Sequence, residues 1–315
     1  MNMSPKAILI TIAAGLTSAF CVMASFGVGA IAILLLLLAP LPIYIATLSN
    51  GTAVGIGSSI LAIMVAATAI SPQVAIGIGL AFTIPASIIA NQANLAQETD
   101  NGMEWYPLPK LFFNLCVILC LGVSCLAFLS GFNAQALSLE LITALQTAFE
   151  NSSRPPPMSK DELQNFVQLV VKVFPFTLGG FWLVVHIMNL NFASSICRAS
   201  NMMPRPQDDI ATTVSLPKIS LAIMLVSLLL SIGLSGIMQF ITMIIAGTFV
   251  MAFTLIGLAS LHYKLRSNPA GGLVLTLTYI MIIVTYPLFY LLSIFGIFKV
   301  INQSKNLTNT PPSAE

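Results

Sequence analysis

Between Lys6 and Glu98 the chain contains no Asp, Glu, Lys, Arg or His, a run of 91 residues that is mostly apolar and broken by Gly, Pro, Ser, Thr and Asn. A surface facing water needs charge; helices without it need another solvent, and the bilayer is one. A single crossing takes about 20 apolar residues, so this run supplies about four helices. Turn residues divide it into segments from about Ala7 to Ser25, from Gly29 to just after Pro42, from Gly51 onward, and from Ser71-Pro72 onward. Connections this short make neighbouring segments antiparallel.

Residues 92–110 are polar, with Glu98, Asp100, Glu104 and Lys110, and Trp105 and Tyr106 stand where aromatic side chains suit the headgroup belt. A fifth apolar segment covers about Leu111 to Gly131. Residues 133–164 form the longest polar excursion. Within it Leu137, Leu141, Leu145 and Phe149 recur every four residues with Ile142 beside them, the spacing of one helix face. Arg154-Pro155-Pro156-Pro157 predicts the stop of that helix, and Ser159 with Glu162 has capping-box spacing for the next. That helix is predicted to run on into a sixth apolar segment ending near Cys197. At more than thirty residues it exceeds one crossing, so its first turns project from the membrane.

After a loop from Arg198 to Lys218 come 43 residues without charge, up to His262, enough for two helices joined near Ser231–Gly236. His262, Lys264 and Arg266 are expected in a short basic loop. A last apolar run reaches from about Gly271 to Phe298 with Pro287 inside it, and the tail over 301–315 is expected to be disordered. The predicted fold class is therefore all-α: a polytopic transmembrane helix bundle of eight or nine membrane helices in one integral membrane domain (residues 1–300), plus one amphipathic extramembrane helix. Nine crossings with the N-terminus in the cytoplasm leave Arg154, Lys160, Lys299 and Lys305 outside. A bend back at Tyr286-Pro287 makes eight and returns the tail lysines to the other basic residues. The distribution of Lys and Arg favours a cytoplasmic N-terminus.

Composition agrees: 57% hydrophobic and 7% charged, with a mean hydropathy of +0.96, where soluble domains are about a quarter charged. A net charge of +2 gives no sign of a nucleic-acid partner; the bilayer is the partner that composition implies. Cys21, Cys116, Cys120, Cys125 and Cys197 lie in or at the edges of apolar stretches, and Cys116 and Cys120, one turn apart, have no His or carboxylate near them in sequence. They read as small buried hydrophobes, with no metal site, cofactor or structural disulfide implied. Lys6 before an apolar run fits an uncleaved signal-anchor helix.

All ten carboxylates fall in loops or the tail. Proton- and sodium-coupled transporters usually hold an Asp or Glu at mid-membrane, so ion coupling is not expected. No G-x-x-x-x-G-K-S/T phosphate loop is present either. Two histidines and no intramembrane acid leave little for general acid–base chemistry, so an enzyme is not expected. The sixth segment is the polar exception. Gln164, Gln168 and Lys172 are spaced by four; Lys172, Gly179 and His186 are spaced by seven; Asn189, Asn191, Ser194 and Ser195 follow. One reading is a cavity-lining helix with His186 and Asn189 contacting a small ligand. The other is a snorkelling Lys172 and interhelical hydrogen bonds. Pro40 and Pro42, followed by Tyr44, free backbone carbonyls that bind a solute without charge or simply end a helix. The small residues Gly51, Gly55, Gly57, Ser58, Ser59 and Ala62, with Gly77 and Gly79, read as helix-packing faces. Two glycosylation sequons, at Asn151 and Asn306, carry no weight.

The layout resembles the YybS-like family of bacterial inner-membrane proteins, a family of unknown function. The matching features are the Leu34–Pro42 run ending Ala-Pro-Leu-Pro, the Asn50-Gly51 turn, the polar excursion leading into the long sixth segment, and Ser215-Leu216-Pro217-Lys218 before the seventh. The family usually has an aromatic or basic residue ahead of that Leu-Pro, where this chain has Thr213-Val214-Ser215. The resemblance implies kinship with the substrate-binding subunits of energy-coupling-factor-type importers: a helical bundle that captures a small solute and relies on a separate ATPase or membrane partner. Those subunits have about six helices, fewer than are read here, and no binding residue carries over. The expected function is thus a transporter-like protein of the bacterial inner membrane that binds a small neutral or weakly polar solute, with His186, Asn189, Pro40, Pro42 and Tyr44 as site residues. The alternative is a scaffold of the cell envelope or division apparatus that docks a partner through the Leu137–Phe149 helix.

Overall fold

Proline and glycine set most of the boundaries in the computed structural model, which describes residues 3–27, 29–100, 102–151 and 158–308. Helix α1 (Pro5–Ala24) starts at Ser4, whose side chain caps Ala7 N–H. Helices α2 (Ala30–Leu38) and α3 (Leu41–Asn50) make one broken crossing, interrupted at Ala39-Pro40. Gly51, at φ +87°, makes the sharp turn into α4 (Thr52–Ala69). A second broken crossing joins α5 (Pro72–Ile78), a π-helical turn (Gly79–Thr83) and α6 (Ile84–Ala93). The antiparallel strands β1 (Ala96–Thr99) and β2 (Gly102–Trp105) lead into α7 (Leu108–Leu129).

Helix α8 (Ala134–Asn151) folds back on α9 (Lys160–Ala199), a helix of 40 residues. At about 1.5 Å per residue α9 is about 60 Å long, twice a hydrocarbon core, so a long segment of it stands outside the bilayer with α8. The apolar stripe of α8, including Leu137, Leu141 and Leu145, covers Leu163, Val167 and Val171 of α9. The capping box at Ser159 and Glu162 is formed. The Arg154–Pro157 stop and Ser152-Ser153 of the first sequon lie outside the described residues. The remaining helices are α10 (Ile210–Thr213), α11 (Ile219–Gly233), α12 (Gly236–Leu265), α13 (Gly271–Val284) and α14 (Tyr286–Thr308). Among the described residues seven spans are long and apolar enough to cross a membrane, and α11, α13 and α14 hold shorter apolar helices. Large apolar side chains such as Leu9, Ile31, Ile60, Leu121, Leu229 and Ile232 face outward, as a lipid-solvated bundle requires.

Helix α12 is the hub. Against α9, a Cβ on Gly247 would lie 1.9 Å from the Phe176 carbonyl oxygen, and one on Gly179 would lie 2.4 Å from that of Ile244. Against α14, a Cβ on Gly257 would lie 1.9 Å from the oxygen of Leu292, and one on Gly296 would lie 1.9 Å from that of Phe253. No larger residue fits these backbone crossings, which replace a hydrophobic driving force with contact.

Several expectations change. The second segment does not end after Pro42 but resumes as α3 to Asn50, because a Pro in the first turn of a helix lacks only an N–H that would have no partner there. His262 and Lys264 belong to the last turn of α12 rather than to a loop; cations there complement the helix dipole. The loop before α7 holds a hairpin. The last apolar run breaks at Thr285, and α14 returns toward the end where α12 stops: Lys299 Nζ donates to the Ala211 carbonyl oxygen (3.2 Å) beside Asp209, which pairs with Arg266. The tail is helical to Thr308, and 309–315 lie outside the described residues. The heptad from Lys172 to His186 does not hold a face: Lys172 is exposed, Gly179 is buried against α12 and His186 is fully buried. Seven residues fall about 20° short of two turns each time, and Pro175 lies inside the helix between them.

In a variant lacking native cysteines, Lys299→Cys and Arg266→Cys should react with a membrane-impermeant thiol reagent from the same side of the membrane. Labelling from opposite sides would refute the returning hairpin.

Candidate functional site

Three of the residues singled out from sequence meet in the core. Tyr44 and His186 are fully buried and Asn189 is 2% exposed. His186 Nε2 lies 2.8 Å from the Ala81 carbonyl oxygen, and Nδ1 lies 3.0 Å from Tyr44 Oη. A carbonyl only accepts, so the Nε2 proton goes to Ala81, and the Tyr44 hydroxyl donates to Nδ1. A neutral imidazole with its one proton on Nε2 thus donates on one side and accepts the tyrosine proton on the other. Ala81 belongs to the π-helical turn, where Ile84 N–H reaches Gly79 O and the wider backbone presents its carbonyls to a neighbour. Asn189 Nδ2 donates to Leu37 O and Val185 O, 2.8 Å each. Leu37 immediately precedes the α2–α3 break, and Ser18 donates to Ala39 O there at 2.7 Å. Pro40 lies in this break and Pro42 in the first turn of α3, and neither has an N–H to offer the carbonyls before it.

The arrangement is a neutral clamp. Helix α9 ties both broken crossings to itself through hydrogen bonds to carbonyls that proline and the π turn leave outside the regular ladder. Asn189 Oδ1 and Thr83 Oγ1 are buried acceptors without a partner among the described residues. The Gln164, Gln168 and Lys172 stripe faces outward, away from the clamp.

A cavity of about 890 Å³ lies elsewhere, and none of Tyr44, His186, Asn189, Pro40 or Pro42 lines it. Its walls come from α6, α7, α9, α12 and α13, with apolar side chains such as Ile89, Phe112, Leu115, Ile187 and Leu255. Its charged groups gather where α9 and α12 end, Arg198, Arg205, Asp208, Asp209 and Arg266 with His262 and Gln207 beside them, while Asn191 and Ser194 line it one to two turns earlier on α9. Sequence reasoning missed this site because apolar wall residues look like any other lipid-span residues. Two signals were present: the density of charge between Arg198 and Asp209, and the polar run after His186, of which Asn191 and Ser194 do line this cavity.

Most of those charges are paired. Arg205, 4% exposed, makes two hydrogen bonds to Asp208 (2.8 and 3.1 Å) and donates to Ala93 O (3.2 Å) and Tyr106 O (2.9 Å). It pins the 200–209 loop to α6 and the hairpin. Arg266 bonds both oxygens of Asp209 at 2.7 and 2.5 Å. Those hydrogen bonds hold the Asp209 carboxyl down at about 2. Because that value is lowered, whatever the pair contributes is complete above about pH 4 and is lost as the pH falls through about 2. His262 donates from Nδ1 to Leu258 O at 2.9 Å and meets the Tyr279 hydroxyl at 3.3 Å.

Among the described residues no group of three or more His, Cys, Asp or Glu is placed to hold a metal ion. The chain belongs to the family described as "predicted membrane protein (DUF2232)", whose model matches residues 15–299. Neither the curated proteins nor the solved structures hold a match to it.

Tyr44→Phe should lower unfolding stability in detergent by about 0.6–1.7 kcal/mol, the range of interhelical hydrogen bonds in membranes, and by the same amount with or without added solute. Arg205→Ala should cost about 2–4 kcal/mol, less than a fully buried pair because Asp208 is 32% exposed. A change near zero at Arg205 would show that the 200–209 loop is held by something else.

Proposed function

We propose that this protein is a transporter-like, solute-binding protein of the bacterial inner membrane, and that the cavity under the Arg198–Asp209 loop is its binding chamber. The observation that carries the reading is the cavity itself: about 890 Å³, within the ~300–1,000 Å³ of sites that enclose one small molecule, with apolar walls and a few convergent polar groups. The solute is small and largely apolar, and it is held at one end of the bundle rather than at the His186–Asn189 clamp, whose polar groups are mostly spent on the protein's own backbone. On this reading the chain does no chemistry and couples to no ion of its own, and a separate ATPase or membrane subunit supplies any energy. The kinship with the YybS-like proteins and with importer substrate-binding subunits belongs to the same proposal.

Orientation follows from charge. The end of the bundle that carries Lys6, Lys110, Arg198, Arg205, Lys218, Lys264, Arg266 and Lys299 is the basic end, and the positive-inside rule puts it, the N-terminus and the cavity mouth in the cytoplasm. A second reading, a membrane scaffold, is favoured by one feature. The projecting part of α9 exposes Phe166 (52%) and Leu169 (61%) beside the face that α8 covers. Deleting residues 134–158 should abolish partner binding in a scaffold and leave the chamber intact in a binding protein.

The chamber is tested with a photoactivatable, diazirine-bearing hexadecanol added to the protein in phosphatidylcholine nanodiscs. Label should appear on peptides containing Ile187 and Leu255. Ala259→Trp and, separately, Leu275→Trp, which fill the space, should remove it without changing the melting temperature. Label confined to the outward residues Leu121 and Leu229 would sink the proposal.

A further inference from the structure

We infer that the occupant of the chamber is a single-chain amphiphile with one anionic head, its chain lying between α7, α9 and α12 and its carboxylate or phosphate at Arg198. The inference rests on the cavity being the binding chamber and adds the chemical class of what it binds. Charge at the mouth is the first observation. Two of its three arginines are matched, Arg205 by Asp208 and Arg266 by Asp209. Arg198 lines the same cavity, is half-buried, and has no side-chain partner among the described residues. The lining therefore carries one positive charge that the protein does not compensate. A partly desolvated guanidinium beside apolar walls is unfavourable alone and binds an oxyanion through short, charge-assisted hydrogen bonds.

The second observation is the separation of chemistry along the cavity. Charged groups sit at the mouth, where α9 and α12 end, while Ile89, Phe112, Leu115 and Ile187 line the walls, with Asn191 and Ser194 of α9 as uncharged polar groups between the two regions. A compact polar solute would leave those walls without contact. A free phosphate or carboxylate would leave most of the volume unused. An apolar chain with its charge at one end satisfies both regions together. The third observation is the wall toward lipid. Leu275 of α13 lines the cavity, while Leu273, Leu277 and Val284 of the same helix are 65%, 51% and 72% exposed on its other sides. One short helix separates the chamber from the bilayer, which is where a single-chain amphiphile resides.

The test compares three diazirine probes of one chain length in phosphatidylcholine nanodiscs at pH 8: hexadecanoic acid, hexadecyl phosphate and hexadecanol. Labelling of the Ile187 and Leu255 peptides is read by mass spectrometry. At least one anionic probe should exceed the alcohol by about tenfold, the effect of one hydrogen bond to a charged group. Arg198→Ala should abolish that preference while leaving alcohol labelling and the melting temperature unchanged, and Arg198→Lys should keep most of it. Preference for the acid alone identifies a carboxylate head, and preference for the phosphate alone a phosphate head. Equal labelling by all three probes, or a preference that survives Arg198→Ala, overturns the anionic head and leaves the chamber standing. No probe in the chamber at all overturns the chamber and this inference with it.

Discussion

An unpaired peptide group in hydrocarbon costs several kcal/mol, and that penalty shapes this bundle. Two of its crossings are broken, one at Ala39-Pro40 and one at the π turn over Gly79–Thr83. Each break presents carbonyls that a straight helix would have used. With no acid or base available in the first 91-residue apolar run, they are met by neutral donors. Asn189 bonds Leu37 O, Ser18 bonds Ala39 O, and His186 bonds Ala81 O. Helix α9 supplies two of the three, so the long helix acts as the clasp on both breaks. The charge-free interior is possible because the breaks are satisfied from a neighbouring helix.

Packing of the other half follows a related rule. Lipid tails are as apolar as leucine, so helices gain little from burying leucines against one another and associate by backbone approach instead. Gly179 and Gly247 bring α9 and α12 together; Gly257 and Gly296 do so for α12 and α14. The second crossing holds α14 parallel to α12 and so decides where the chain's last helix ends. Lys299 is then delivered beside Ala211 at the basic end rather than left across the membrane. Contacts at a few glycines thus set topology as much as stability.

The all-α membrane bundle, the short turns, the capping box at Ser159 and the α8 stripe were legible in sequence, because each is a local pattern; the count of eight or nine crossings was not, since the described residues hold seven long apolar spans and three shorter helices. The broken helices were half legible. Pro40 and Pro42 announced a disturbance but not that the helix resumes beyond it, since a proline at a first turn and a proline that ends a helix read alike. The π turn left one mark, Pro85, which has no N–H for the Ala81 carbonyl four residues before it, but a proline does not say that a π turn will form. Of the expected site residues, His186, Asn189 and Tyr44 are buried polar groups of an apolar chain. That Tyr44 meets His186 and Asn189 meets the Leu37 carbonyl depends on contacts between residues 142 and 152 positions apart. The cavity was illegible because it is made of distance: Phe112, Ile187 and Leu255 are ordinary until three helices leave a gap between them.

The two polar regions differ in what their hydrogen bonds allow. A hydrogen-bonded histidine in the middle of a membrane protein invites a proton-relay reading, but a relay needs a next group to take the proton. Here Nε2 faces a peptide carbonyl and Nδ1 faces a tyrosine hydroxyl, and neither passes a proton on to a charged neighbour. The clamp is therefore better suited to rigidity than to coupling. Rigidity there leaves motion to the other end, where α13 touches the bundle lightly and the mouth is fastened by the exposed Asp209–Arg266 pair. Exposed ion pairs contribute little to stability, so that fastening opens at small cost. Arg205 still pins the 200–209 loop beside that pair through Ala93 O and Tyr106 O, so what freedom the mouth has lies on the side that Arg266 and α13 close.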